Sequence, residues 1–243
     1  SLGSRGPIDR LCDHGLLDMH QTTSVEAAWI KQTVDKSHAP TLTDDQRKVV
    51  DAISSTLAQG YGCNLLHGVT GSGKTEIYIR LIRKAIEDGG KAIVLVPEIS
   101  LTPQTAARLL GRFPDKRVAI LHSALTKSQR HQQWAMVARS EADIVLGARS
   151  AVFAPVPIDR LKLIIVDEEH DHSYKQDLTP RYHGRDVAIR RASAANCPIV
   201  LGSATPSMES WWNATRRKVS TLHTLAHRAP GLTSPSVEIV NMS

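Results

Sequence analysis

The chain has 243 residues, of which 41% are hydrophobic and 22% are charged. This composition provides enough apolar surface for a sizeable core and argues against disorder as the main state. The length predicts one large domain or two unequal ones. No stretch approaches the roughly 18 consecutive apolar residues that span a membrane, so we expect neither a transmembrane segment nor a membrane partner.

The net charge and the cysteine content further limit the class of protein. The formal net charge is +6, which is compatible with a nucleic-acid partner but does not identify one. The three cysteines, Cys12, Cys63 and Cys197, are too far apart for a CxxC site and too few for a disulfide framework. Their scarcity fits a protein of the reducing cytosol.

The first 40 residues differ from the rest of the chain. Ile8–Leu17 and Val25–Val34 read as helices, and Ser37-His38-Ala39-Pro40 reads as a linker. Together they are too short for a domain. We interpret residues 1–40 as the tail of a preceding domain with its linker, and residues 41–243 as the main domain.

After about residue 60, short apolar runs alternate with helical stretches. The runs are continuous and not alternating, which is typical of strands covered on both faces. The repeated pattern predicts an α/β domain with a parallel sheet flanked by helices. The predicted strands are Cys63–His67, Lys91–Val96, Arg117–Leu121, Ala142–Leu146, Leu161–Val166, Pro198–Leu201 and Val237–Val240. Predicted helices run from Lys74 to about Asp88 and begin near Pro103, after Thr126, near Arg185 and at Pro206.

The sequence GVTGSGKT follows the first predicted strand and opens a helix, as a phosphate-binding P-loop requires. Its glycines let successive N–H groups point at phosphate oxygens, and the helix N-terminus adds positive partial charge. Lys74 is expected to reach the β- and γ-phosphates of ATP, and the Thr75 hydroxyl to ligate Mg²⁺. The remaining predicted loop contacts are Gly68, Thr70, Gly71, Ser72 and Gly73.

The sequence LIIVDEEH places adjacent carboxylates at the end of an apolar strand. Asp167 is predicted to hold Mg²⁺ together with Thr75, and Glu168 to orient or deprotonate the attacking water. A cation would offset the repulsion between the two carboxylates. His170 is open to two interpretations, a contact with the γ-phosphate or the next motif, and a simple structural role.

The sequence LGSATPS follows the Pro198–Leu201 strand. Ser203 and Thr205 could hydrogen-bond nearby carboxylates and relay a change in phosphate state. Thr205-Pro206 is equally a good N-cap followed by a first helical residue.

In this order, the three motifs resemble the first motor lobe of the DEAH-like superfamily-2 helicases. The strings LTDDQRKVV, VPEISLTPQ, LHSALT, IVLGARSAVF, DEEHDHSYKQ and RYHGRDVA extend the resemblance to the bacterial replication-restart helicases of the PriA family. The likeness covers Leu42 to the end, and Arg10–Leu17 is similar to the end of that family's winged-helix domain.

The resemblance implies a P-loop NTPase lobe of RecA-like fold from an ATP- and Mg²⁺-dependent 3′-to-5′ DNA helicase and DNA-dependent ATPase. Such an enzyme acts at stalled or collapsed forks and D-loops in the bacterial cytoplasm, near the nucleoid. The implied partners are forked and single-stranded DNA, a second helicase lobe, primosome proteins and single-stranded DNA-binding protein. The family's zinc site is expected outside this chain, and the isolated lobe is expected to be inactive or nearly so.

The resemblance also implies roles for residues outside the three motifs. Gln46 would read adenine, although Thr43-x-x-Gln46 also fits a capping box at a helix start. The aromatic and basic stretch Asp171–Arg191 suits stacked bases beside phosphates and resembles a loop that links DNA contact to hydrolysis. The DNA contacts implied in all are Ser100, Thr102, Arg149, Ser150, Tyr174, Lys175, Arg181, Tyr182 and Arg185.

The residues leave two alternative functions open. One is another superfamily-2 DNA translocase, against which the extended DEEHDHSYKQ string argues. The other is a noncatalytic nucleotide-binding module, against which the intact Lys74, Thr75, Asp167 and Glu168 argue.

Overall fold

The computed structural model describes residues 40–229, apart from 88 and 102. The predictions for the segment 1–39, for the strand Val237–Val240 and for Thr102 lie outside the described residues.

The strands of the described part of the chain are β1 (Cys63–Gly68), β2 (Lys91–Leu95), β3 (Val118–Leu121), β4 (Ile144–Gly147), β5 (Leu161–Val166), β6 (Lys175–Gln176), β7 (Tyr182–His183), β8 (Ile199–Ser203) and β9 (Thr221–Leu225). Seven of them form a parallel sheet with the order β3-β4-β2-β5-β8-β1-β9, and β6 and β7 form a separate two-stranded hairpin. The prediction of a parallel α/β sheet is confirmed.

Of the seven strands of the parallel sheet, β9 was not predicted from the sequence. It pairs in parallel with β1 at the edge of the sheet. Its residues are mostly half-exposed or exposed, and threonine and histidine interrupt its apolar side chains. An edge strand of this kind lacks the continuous apolar run that marks the buried strands.

Helices cover both faces of the sheet. They are α1 (Asp44–Gln59), α2 (Lys74–Glu87), α3 (Pro103–Gly111), α4 (Lys127–Ala138), α5 (Gly184–Ala194) and α6 (Met208–Thr215). The predicted start of the last helix at Pro206 is wrong. Its N-cap is Ser207, whose side chain accepts a hydrogen bond from the backbone N–H of Ser210.

Alternating residues of each buried strand enter two different cores. In β5, Leu163 and Ile165 pack in the same cluster as α2, while Ile164 and Val166 pack with residues of α5 on the opposite face. Successive side chains of a strand point to opposite faces, so a strand covered on both sides must be apolar at every position. This explains the continuous apolar runs in the sequence.

The topology brings the three motifs to one edge of the sheet. The P-loop follows β1, DEEH follows β5 and SAT closes β8, and β8 lies between β5 and β1. Two short 3₁₀ segments, Glu98–Ser100 and Arg149–Phe153, follow the paired strands β2 and β4 at the same edge. Open α/β sheets bind ligands at this carboxyl edge. Within the described residues, no helix has the length and apolar character needed to cross a membrane.

Candidate functional site

The P-loop curls around a pocket of about 590 Å³. Gly71 and Gly73 have φ angles of +80° and +86°, which non-glycine residues rarely adopt. The Lys74 ammonium donates a hydrogen bond of 2.8 Å to the Gly68 carbonyl and lies 3.8 Å from a carboxylate oxygen of Glu168. The predicted P-loop residues Thr70, Gly71, Ser72, Gly73, Lys74 and Thr75 line this pocket together with Pro40, Glu76, Ile79, Arg112, Asp167, Glu168 and Ala229.

Asp167 is held from three directions. Its backbone N–H donates to the Leu95 carbonyl, its carboxylate Oδ1 accepts from the Tyr78 hydroxyl at 2.9 Å, and its carbonyl accepts from the Tyr174 hydroxyl at 2.7 Å. Burial and the charge of Glu168 raise the pKa of Asp167, and the hydrogen bond from Tyr78 acts in the opposite direction.

The oxygen donors around the pocket fit Mg²⁺. Asp167 and Thr75 both line it, and Mg²⁺ is commonly bound by one or two protein oxygens with phosphates and water completing its shell. A cation there would also offset the cost of the adjacent, partly buried carboxylates of Asp167 and Glu168.

Glu168 has an unusual backbone conformation. Its φ of +44° lies in the left-handed region, which is uncommon for a non-glycine residue and concentrates at functional sites. Its side chain is 33% exposed and lies 3.6 Å from Nδ1 of His170. The carboxylate therefore stays accessible to a water molecule in the pocket.

His170, Ser203 and Thr205, which were predicted to sense or relay a change in phosphate state, lie in contact with one another. Nδ1 of His170 lies 2.8 Å from the Ser203 hydroxyl, and its Nε2 lies 3.4 Å from the Thr205 hydroxyl. The Thr205 N–H also donates to the Ser203 hydroxyl at 3.0 Å. DEEH and SAT are thus joined by side-chain hydrogen bonds, and Thr205 does not serve as the N-cap of α6.

Glu169 is a functional-site neighbour that sequence reasoning missed. It is fully buried and accepts hydrogen bonds from Ser207, Ser210 and Arg185, at 2.7 to 3.1 Å. Arg185 is itself only 9% exposed and also bonds Asp186. This is a correction to the expected DNA contact at Arg185, because its guanidinium is engaged inside the protein.

Gln46 forms the capping box and also contacts the P-loop. Its Oε1 accepts from the Thr43 N–H at 2.9 Å, its own N–H donates to the Thr43 hydroxyl, and its Nε2 donates to the Ser72 carbonyl at 2.9 Å. The side chain is 5% exposed. The structural interpretation of Gln46 is confirmed, and the adenine contact stays a prediction.

A second missed feature is an ion-pair network in the pocket wall. The Arg112 guanidinium donates two hydrogen bonds to the Glu76 carboxylate, at 2.5 and 2.9 Å, and Arg80 donates a third. Burial alone would raise the pKa of Glu76, but the hydrogen bonds from Arg112 and Arg80 outweigh it and lower that pKa. No local sequence pattern links Glu76 to a partner 36 residues away.

The predicted DNA-contact stretch folds back on the lobe as the hairpin of β6 and β7. Arg149 donates to the carbonyls of Ser173 and Lys175, and its guanidinium lies 5.8 Å from the centre of the Tyr182 ring. Phe153 packs edge-on against the same ring at 5.0 Å. The hairpin itself contains no Phe or Trp, and Phe153 from the segment after β4 supplies a second aromatic ring beside Tyr182.

The predicted DNA contacts separate into exposed and internal residues. Ser150, Lys175 and Arg181 are exposed, and Ser100, Arg149 and Tyr182 are partly buried. Tyr174 is fully buried, with its hydroxyl on the Asp167 carbonyl, so the expected stacking of Tyr174 on DNA is corrected. A surface pocket of about 540 Å³ lies along the hairpin and is lined by Lys175, Gln176, Asp177, Arg181, Tyr182 and His183.

Comparison with known proteins gives consistent results. The family model for DEAD/DEAH box helicases matches residues 43–211. The chain is 45% identical over 240 residues to replication restart protein PriA of Bacillus subtilis (strain 168), covering 98% of this chain and 29% of that protein. It is 47% identical over 202 residues to PriA of Treponema pallidum (strain Nichols), covering 83% of this chain and 30% of that protein. The chain therefore spans less than a third of these relatives.

Solved structures support the fold. RecG bound to a three-way DNA junction matches 82% of this chain and 26% of its own, with a TM-score of 0.60 and 24% identity. A hypothetical ATP-dependent RNA helicase from Sulfolobus tokodaii matches 82% of this chain and 56% of its own, with a TM-score of 0.55 and 20% identity. The prediction of a RecA-like lobe is confirmed.

Proposed function

Because the chain belongs to the DEAD/DEAH box helicase family, we propose that it is the ATP-binding first lobe of a 3′-to-5′ DNA helicase that restarts replication at stalled or collapsed forks and D-loops. The observation that carries this proposal is the single pocket that Lys74, Thr75, Asp167 and Glu168 line together. The relatives named replication restart protein PriA support the cellular role.

The chain's own residues divide the work of ATP hydrolysis. Lys74 and the N–H groups at the start of α2 bind the phosphates, and Gln46 contacts adenine. Thr75 and Asp167 would hold Mg²⁺, which neutralises phosphate charge when bound. Glu168 orients the attacking water and accepts its proton. His170, Ser203 and Thr205 respond to the change in phosphate state.

DNA binds on the other half of the same sheet edge. Ser100 follows β2, and Arg149 and Ser150 follow β4, where hydroxyl and guanidinium groups suit the phosphates of single-stranded and forked DNA. Thr102, two residues after Ser100 in the sequence, is a further proposed contact. On the hairpin, Lys175 and Arg181 attract phosphates and Tyr182 offers a ring for stacking. A single 3₁₀ turn, His172–Tyr174, separates the carboxylates of DEEH from the hairpin, so DNA contact can alter the ATP site.

The remaining partners come from the longer protein and the cell. A second helicase lobe closes over the pocket and contributes an arginine finger, and primosome proteins and single-stranded DNA-binding protein act with the complete helicase. We place the protein in the bacterial cytoplasm, associated with the nucleoid.

The decisive experiment measures ATP hydrolysis by this chain and by the full-length protein, each with and without forked DNA. We expect strong stimulation by forks in the full-length protein and little turnover by the chain alone, since a missing finger costs about 10³–10⁵ in related enzymes. Equal stimulation by linear duplex and forks would favour another translocase. ATP binding without turnover in the full-length protein would favour a noncatalytic module.

A further inference from the structure

Tyr78 lies one helical turn after Lys74 on α2 and does not line the ATP pocket. It is 4% exposed, and its hydroxyl donates a hydrogen bond of 2.9 Å to Oδ1 of Asp167. The two residues are 89 positions apart in the chain, so α2 and β5 must be docked correctly for the bond to form.

Gly202 in β8, the strand that ends in the SAT motif, leaves room for this phenol. A Cβ atom at Gly202 would lie 1.6 Å from the Tyr78 hydroxyl oxygen and 2.8 Å from the ring carbon that bears it. Any side chain at this position of β8 would displace Tyr78. The phenol therefore occupies the point where the P-loop helix, the DEEH strand and the SAT strand meet.

The Tyr78 phenol carries an O–H donor, and the Asp167 carboxylate offers only acceptors, so the proton of this bond comes from Tyr78. A hydrogen bond to an ionised carboxylate is stronger than one between neutral groups. It fixes the rotation of the Asp167 carboxylate by occupying one of its two oxygens.

We infer that Tyr78 is a positioning residue for Mg²⁺ binding, which holds Asp167 so that its second carboxylate oxygen is presented to the cation. The inference rests on the proposed function, which makes Asp167 a Mg²⁺ ligand. Tyr78 does not line the pocket itself and would act through Asp167 alone.

The test is Tyr78→Phe, which removes the hydroxyl and keeps the ring. Binding of ATP to this chain is measured by calorimetry in EDTA and across a Mg²⁺ titration. We expect unchanged affinity in EDTA, because the P-loop contacts are intact. The Mg²⁺ concentration for half of the Mg²⁺-dependent gain in affinity should rise about five- to tenfold, in line with the loss of one charge-assisted hydrogen bond.

Tyr61→Phe is the matched control, since Tyr61 is 41% exposed and precedes β1 at the opposite edge of the sheet. Its Mg²⁺ titration should equal that of the wild type. An unshifted titration in Tyr78→Phe, or a loss of ATP binding already in EDTA, would show that Tyr78 serves packing only and overturn the inference. Lack of fork-stimulated ATPase in the full-length wild type would instead refute the proposed function, and the two failures are distinguishable.

Discussion

The Tyr174 hydroxyl donates a hydrogen bond of 2.7 Å to the backbone carbonyl of Asp167. Tyr174 immediately precedes the hairpin, and Arg149 holds the carbonyls on either side of it, those of Ser173 and Lys175. A ligand that displaces the hairpin must therefore either distort the hydrogen bonds of Tyr174 and Arg149 or move the backbone of Asp167. The contact gives a physical route from the proposed DNA face to the proposed ATP site.

Tyr174→Phe tests this route, since it removes the hydroxyl and keeps the buried ring. We expect the ratio of fork-stimulated to DNA-free ATPase of the full-length protein to fall about five- to tenfold, because one buried hydrogen bond no longer links the hairpin to Asp167. Fork affinity, measured by fluorescence anisotropy, should stay near that of the wild type. An unchanged stimulation ratio would mean that the signal passes by another contact.

Lys74→Ala should remove the main cation of the P-loop. The loss of a buried, charge-assisted contact is expected to cost on the order of 2–3 kcal/mol of ATP binding free energy, which should make binding undetectable by calorimetry. Lys84→Ala is the control, because Lys84 is an exposed lysine on the same helix. Equal affinity in wild type and Lys74→Ala would contradict the P-loop assignment.

Glu168→Gln in the full-length protein should keep ATP and Mg²⁺ binding and slow turnover by about 10²-fold or more, since an amide cannot accept the proton of the attacking water. Single-turnover hydrolysis separates the chemical step from product release. Glu209→Gln, at an exposed position of α6, should hydrolyse ATP normally. Near-normal turnover by Glu168→Gln would assign the base to another residue.

The sequence was most informative where the site is built from local segments. A strand, a tight turn and a helix are neighbours in the chain, so the P-loop with Lys74 and the strand end with Asp167 could be predicted from spacing alone. The fold class followed from the alternation of apolar runs with helices.

Residues whose partners are distant in sequence were assigned wrongly or missed. Arg185 was predicted to contact DNA from its charge, yet it pairs with Glu169, 16 residues away, and that carboxylate is fully buried. The Glu76–Arg112 pair was missed for the same reason. The bond from Tyr174 to Asp167 joins residues only seven positions apart, and it was missed because it depends on how the segment after β5 folds back. A side chain's charge or aromaticity does not indicate which way it faces until the docking of the elements is known.

The exposed part of the hairpin is tested by the double variant Arg181→Ala, Tyr182→Ala in the full-length protein. Arg181 is exposed, and Tyr182 packs against Phe153 and Arg149, so both the cation and the stacking ring are removed from the proposed DNA face. We expect fork-stimulated ATPase and unwinding to fall while fork binding through other domains survives. Arg190→Ala, on the exposed side of α5, controls for loss of charge. Full stimulation in the double variant would make the hairpin an ordinary connector.

The last prediction concerns the pH dependence of stability. The Glu76 pKa is lowered in the folded chain, because hydrogen bonds from Arg112 and Arg80 outweigh the effect of burial. A group with a lowered folded pKa contributes stability above its unfolded pKa, and this contribution is lost as the pH falls through the folded pKa. The Glu76–Arg112 pair should therefore stabilise the wild type at neutral pH and progressively less below about pH 4, near the ordinary pKa of glutamate.

Arg112→Met keeps the aliphatic bulk and leaves the buried Glu76 carboxylate with Arg80 alone. With its main partner gone, burial should raise the Glu76 pKa, and the variant should lose stability as the pH rises through that value. The difference from the wild type should therefore widen between about pH 4.5 and pH 7.5, reaching on the order of 2–3 kcal/mol. Urea unfolding of this chain at both pH values measures it. Arg117→Met is the control, because its pair with Glu141 is exposed and should add little at either pH. A pH-independent difference for Arg112→Met would mean that Arg112 stabilises the lobe by packing and not through the charge of Glu76.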